Sequence, residues 1–204
     1  MNKTILITRP NYDKITRYFY YWAKIPIEKA KKKNIDILDL KVEKNNRKDF
    51  ERAMEKNPCL VILNGDRNPE GSKGFQDLPK EDIFDSKIVC SFACKTSRIL
   101  GIRNDFGAKA YVGYNDNFIF CCNPEKSYNP LDDEIAHFFL DPPMILASEL
   151  IDGFSVKQSI KKAEDLLKNN IEKVIKNKEY EFMAPYLLWD LKHLKVRGNK
   201  NVKI

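Results

Sequence analysis

The sequence predicts an α/β fold built on a mostly parallel sheet with helices covering both faces. Three observations lead there. Short β-branched, apolar runs alternate along the chain with segments whose apolar residues recur at three- and four-residue steps. The run Cys59 to Leu63 is apolar throughout, as in a strand buried on both faces and unlike a strand with one wet side. No internal repeat, Gly/Ser linker or low-complexity stretch divides the 204 residues, so a single domain spanning 1–204 is expected.

The elements follow in order. Thr4 to Thr8 reads as the first strand, ended by Arg9-Pro10-Asn11. Asp13 is placed to N-cap a helix presenting Ile15, Tyr18, Phe19 and Trp22. Pro26 either breaks that helix or restarts it as a first-turn residue before Ile27 and Ala30. Ile35 to Leu40 is the second strand, Arg47 to Lys56 a short helix, Cys59 to Leu63 the third strand and Lys87 to Ser91 the fourth. A short helix starts at Thr96 and ends near Gly101. Ala108 to Gly113 is the fifth strand, and Phe118 to Cys122 reads as its extension or hairpin partner.

In the C-terminal third, Asp132 to Leu140 is an amphipathic helix that Pro142-Pro143 is expected to interrupt, with a second helix from Met144 to Ile151. Gly153 ends it. Ser155 caps a long helix to about Lys178, with Val156, Ile160, Ala163, Leu167, Ile171 and Val174 on its apolar stripe. Tyr186 to Trp189 and a strand-like alternation from His193 to Ile204 close the chain. The aromatic set Tyr18 to Trp22 wraps around its helix, so part of it must be exposed or covered by another element.

Composition narrows the function classes. An apolar content of 43% is that of a globular protein, not a disordered one. The net charge of +7 invites an acidic partner, but from Lys157 to Lys178 the lysines alternate with Glu164, Asp165 and Glu172, as on a solvated helix face. No zinc-finger, RRM or basic-region pattern points to nucleic acid. The five cysteines (59, 90, 94, 121 and 122) are odd in number and lack framework spacing. With no leader-like segment and no long apolar run, free thiols in a reducing, cytoplasmic setting are expected, without a membrane partner. No metal is expected, because no Cys-x2-Cys pair faces a second ligand pair. No cofactor is expected either, since Gly71-Ser-Lys-Gly74 has the spacing of neither a P-loop nor a dinucleotide turn.

Two segments carry potential chemistry. Leu60-Val-Ile-Leu-Asn-Gly-Asp66 and Lys87-Ile-Val-Cys-Ser-Phe-Ala-Cys94-Lys-Thr-Ser97 each read as a buried strand running into a polar loop. Sites in open α/β sheets form outside such strand ends. The loop from Gly65 to Ile83 is long for a compact domain, which marks it as functional or mobile.

Further pieces run almost end to end: Thr8-Arg-Pro-Asn-Tyr-Asp13, Ala30-Lys-Lys-Lys-Asn-Ile35 with Asp39, Leu100-Gly101, Gly107-Ala-Lys-Ala-Tyr-Val-Gly-Tyr114 with Phe118, Leu150-Ile-Asp-Gly153 and the closing Gly198-Asn-Lys-Asn-Val-Lys-Ile204. Together they resemble the caspase-like superfamily of cysteine peptidases, in the branch of the gingipain-type and CHAT peptidases. That resemblance implies a three-layer α/β/α sandwich and places the nucleophile at Cys94, which would attack a peptide carbonyl to form an acyl-enzyme. It implies that Asn64 and Gly65 shape the loop, the amides of Gly65 and Cys94 lining an oxyanion hole. The superfamily's Asn-Gly-His-Gly is Asn64-Gly65-Asp66-Arg67 here, so Asp66 stands at the histidine's position and Arg67 at the second glycine's. Arg67, Lys95 and Asp116 are candidate substrate-binding residues, and Asp77 and Asp82 are further pocket candidates. The two histidines, His137 and His193, do not match the catalytic position.

Three readings follow. The first is a cysteine endopeptidase taking a peptide or protein substrate. In the second, the chain is an impaired relative that keeps the cleft as a peptide-binding or regulatory module, with a regulatory protein partner. The third is an α/β domain that binds a nucleotide or phosphate.

Overall fold

The computed structural model describes residues 3–65, 83–92 and 107–204. Six strands, β1 (Thr4–Arg9), β2 (Asp36–Lys41), β3 (Leu60–Leu63), β4 (Ile88–Ser91), β5 (Ala110–Tyr114) and β6 (Leu194–Gly198), form one sheet in the order β2-β1-β3-β4-β5-β6. The first five pair in parallel, and β6 runs antiparallel to β5 with Leu194 opposite Tyr114. The α-helices are α1 (Lys14–Trp22), α2 (Lys24–Lys32), α3 (Arg47–Met54), α4 (Glu134–Ile151), α5 (Val156–Ile175) and α6 (Ala184–His193).

The two-residue period of the strands divides their side chains between two cores. Ile5, Ile7, Leu60, Ile62, Ile88, Cys90, Ala110 and Val112 join the larger one, with residues of α1, α2, α4, α5 and α6. On the other face Leu6, Val61, Leu63, Val89 and Tyr111 meet Phe84 and the Phe50, Ala53 and Met54 of α3. Burial on both faces is why these strands read as unbroken apolar runs.

Local signals set the helix starts. Asp13 and Thr16 form the capping box of α1 and Ser155 and Gln158 that of α5, while Asn46 accepts from the Asp49 amide at the start of α3. Pro26 sits in the first turn of α2, where its missing N–H leaves no gap, so α1 ends and α2 begins around Ala23. Of the aromatic set, Tyr18, Phe19 and Trp22 are buried while Tyr20 and Tyr21 are half-buried.

Three expectations need correction. Phe118 to Cys122 is not a strand, because the open edge of β5 is taken by β6. Phe118 and Phe120 turn inward instead and pack on Phe19 at 5.9 Å and 6.1 Å between ring centres. Pro142 and Pro143 do not divide α4, which runs unbroken through both. The terminal strand ends at Gly198. There the backbone turns with φ +80, and an added Cβ would lie 2.6 Å from the Lys109 carbonyl oxygen. Residues 199–204 then cross the start of α5, where the carbonyls of Val202 and Lys200 accept from the amides of Val156 and Lys157. The short helix expected after Thr96 lies outside the described residues. Among the described residues no helix is long and apolar enough to cross a membrane.

Candidate functional site

β1, β3, β4 and β5 all end at the same edge of the sheet, and the strand order reverses direction between β1 and β3. In an open α/β sheet that reversal opens a crevice outside the carboxyl ends. The side chains at this edge are fixed by buried polar contacts.

Thr8 and Asn64 face each other at the reversal. Thr8 Oγ1 donates to the Asn64 carbonyl at 3.1 Å and accepts from the Asn64 amide at 2.9 Å, while Asn64 Nδ2 donates to the Thr8 carbonyl at 2.9 Å. Asn64 Oδ1 is buried with no hydrogen-bond partner among the described residues. Gly65 follows with φ +150, a backbone conformation that L side chains rarely adopt. Arg9, at the end of β1, is committed to structure. Its guanidinium pairs with both carboxylate oxygens of Asp39, donates to the Tyr20 carbonyl at 3.3 Å and lies 4.5 Å from the centre of the Tyr20 ring.

At the end of β4, Ser91 is fully buried and its Oγ has no partner among the described residues. The Phe92 amide continues the pairing to the Leu63 carbonyl at 2.9 Å. Beyond β5, the Asn115 amide donates to the His193 carbonyl at 3.0 Å, and His193 Nδ1 lies 2.6 Å from Asn115 Oδ1. An amide oxygen accepts only, so Nδ1 of His193 carries the proton in this pair. Asp116 is half-buried and its Oδ1 accepts from the Asn117 amide at 2.8 Å.

Asn64, Gly65 and Asp116 therefore stand at the carboxyl edge, the first two just after β3 and the third beyond β5. Cys94, Asp66, Arg67 and Lys95 lie outside the described residues, as do Asp77 and Asp82. Sequence reasoning missed His193 as an edge residue. Its place follows from the antiparallel return of β6, which begins where β5 ends, and no local pattern announces that return. His137 is elsewhere. Its Nδ1 lies 2.9 Å from Asp141, its Nε2 3.0 Å from the Leu131 carbonyl, and its ring packs 5.0 Å from that of Trp22.

The described thiols are poor nucleophiles. Burial pushes all four up: Cys121 to about 11, with Cys59, Cys90 and Cys122 also raised. Among the described residues no cluster of His, Cys, Asp or Glu could hold a metal ion. No protein-family model matches the chain, and a search of curated proteins found no match.

Proposed function

We propose that this chain is a caspase-like cysteine peptidase domain with Cys94 as nucleophile and with peptide hydrolysis impaired by Asp66. One observation supports the reading above the rest. β3 and β4 are immediate parallel neighbours with Leu63 opposite Ser91, and Asp66 and Cys94 each follow their strand by three residues. A nucleophile and the base that serves it must come within hydrogen-bond reach, and neighbouring strands that end at one sheet edge allow that. The parallel sheet with helices on both faces is compatible with the three-layer sandwich of that superfamily.

Asp66 decides the expected activity. A carboxylate beside a thiol disfavours the thiolate, and it cannot protonate a departing amine unless its own pKa is strongly raised. His137 has both ring nitrogens engaged, and His193 stands beyond β5, one strand further from β4 than β3 is. These placements favour the second reading, a peptide-binding or regulatory module that keeps the cleft and a weakened nucleophile. Its partners would be a peptide or protein segment meeting Asn64, Gly65, Arg67, Lys95 and Asp116, and a regulatory protein, in the cytoplasm. The nucleotide- or phosphate-binding reading has no motif behind it.

The test is the rate of alkylation at each cysteine as a function of pH, read by mass spectrometry, with Asp66→His in parallel. The four described thiols set a slow baseline at about pH 6. A Cys94 that reacts slowly in this chain and fast in Asp66→His supports an impaired peptidase. A fast Cys94 in the unaltered chain means that another group activates it and that hydrolysis is retained. If Cys94 is slow in both proteins, the peptidase reading fails.

A further inference from the structure

Helix α6 is apolar on much of its exposed face as well as on its inner one. Its core-facing residues are Ala184, Leu187 and Asp190, the last with no exposed surface. Its outward residues are Pro185, Tyr186, Leu188, Trp189 and Lys192, a single charge among apolar neighbours. Tyr186 is 41% exposed, Leu188 51% and Trp189 36%, and Phe182 in the turn before the helix is 55% exposed. The chain's ordinary practice is visible on α5, whose exposed residues include Lys157, Lys161, Lys168, Glu172 and Lys173. A contiguous apolar face on an otherwise charged surface marks an interaction site.

Trp189 is already held for contact. Its indole N–H donates to the Asn117 carbonyl at 2.9 Å, and its ring lies 4.2 Å from that of His193. An aromatic fixed in advance loses little rotamer freedom when a partner covers it. Past His193 the chain enters β6 directly, and among the described residues the outer edge of β6 pairs with no strand. Lys192, Lys195 and Arg197 form no ion pair among the described residues.

We propose that α6 and β6 together bind an extended, acidic segment of a partner protein. Its main chain would pair along the open edge of β6, its apolar side chains would cover Tyr186, Leu188 and Trp189, and its carboxylates would meet Lys192, Lys195 and Arg197. Charge selects this occupant. A second copy of the chain related by a two-fold axis would set the same cations against one another across the β6 edge. Single-stranded nucleic acid would suit the cations and the aromatic rings, but it carries no peptide main chain to pair with the open edge of β6. The site does not depend on Cys94 or on the peptidase reading.

Fluorescence anisotropy on the full chain tests it, with a labelled synthetic peptide in which Glu alternates with Phe and Leu. The controls are the same peptide with Lys replacing Glu, and oligodeoxythymidine. The acidic peptide should bind, and Leu188→Glu and Lys195→Glu should each weaken it at least ~10-fold. Both positions are exposed, so neither change should disturb the fold. The proposal is overturned if the basic peptide binds equally well, if oligodeoxythymidine binds more tightly, or if neither variant weakens binding. Sedimentation showing a dimer whose affinity falls in Leu188→Glu would overturn it too, because the face would then belong to a second copy.

Discussion

Thr8 and Asn64 extend by side chain a pairing that their strands give up one residue earlier on β1 and two on β3. The regular register of β1 with β3 ends at Ile7 opposite Ile62. From there the Thr8 hydroxyl both donates to and accepts from the Asn64 backbone, and the Asn64 carboxamide returns a bond to Thr8. The strands can thus diverge into the crevice without leaving the Asn64 amide and carbonyl unpaired in a buried place. Thr8→Val keeps the shape and removes the hydroxyl, so both groups lose their partner. The variant should be less stable by about 1–3 kcal/mol in urea unfolding. Thr8→Ser should lose markedly less, and equal losses in the two variants would show that shape rather than hydrogen bonding is at stake.

His137 should make stability depend on pH near neutrality. Burial pushes its pKa down, but the hydrogen bond to Asp141, the Leu131 carbonyl and the charges of Asp141 and Asp133 outweigh burial and raise it above 6.5. A histidine whose folded value exceeds its unfolded one contributes fully below the unfolded value. That contribution fades as pH rises through the folded value. His137→Gln should therefore lower the urea midpoint most at about pH 6 and progressively less toward about pH 8. Parallel curves for the two proteins over that window would contradict this account.

Asp190 titrates with the same sign for a different reason. It is buried on the inner side of α6, where Oδ1 accepts from the Ile119 amide at 3.0 Å and Oδ2 has no partner among the described residues. Burial raises its carboxyl well above the ordinary range, only partly offset by the Ile119 hydrogen bond. Stability from this group is present at low pH, below the unfolded carboxyl value, and is lost as pH rises through the raised folded value. Asp190→Asn keeps an acceptor for Ile119 and removes the titration. Thermal melts should find it more stable than the parent at about pH 7 and above, the gap closing toward about pH 4. A variant less stable at every pH would mean that the protonated carboxyl makes a contact the amide cannot replace.

Such sites explain what the sequence made legible. The α/β alternation was readable because burial on both faces leaves β3 wholly apolar and β4 apolar up to Ser91, and because Asp13 and Ser155 cap their helices with local signals. The Asn64-Gly65 end of β3 was readable for a similar reason: an apolar run stops at a polar residue and a glycine. What stayed hidden depends on residues remote in sequence. The Arg9–Asp39 pair spans two strands, His193 reaches the edge only through the antiparallel return of β6, and Phe118 to Cys122 loses its place in the sheet to a strand far along the chain. The exposed apolar face of α6 was hidden too, since Ala184, Leu187 and Asp190 do not read as a core stripe.

The unbroken course of α4 through Pro142 has the same kind of cause. Proline has no N–H to give the carbonyl four residues back, which for Pro142 is that of Phe138. Asn170, buried on α5, supplies the missing donor: its Nδ2 lies 2.8 Å from the Phe138 oxygen. Asn170→Leu would leave that carbonyl without its donor and should cost about 1–3 kcal/mol. In a Pro142→Ala background the helix recovers its own N–H, so Asn170→Leu should cost distinctly less there. Chemical denaturation of the four proteins in this cycle measures the coupling, expected at about 1 kcal/mol or more. Additivity within about 0.5 kcal/mol would show that Asn170 stabilises α4 by packing alone. Another feature would then have to account for a helix that continues through a Pro-Pro pair.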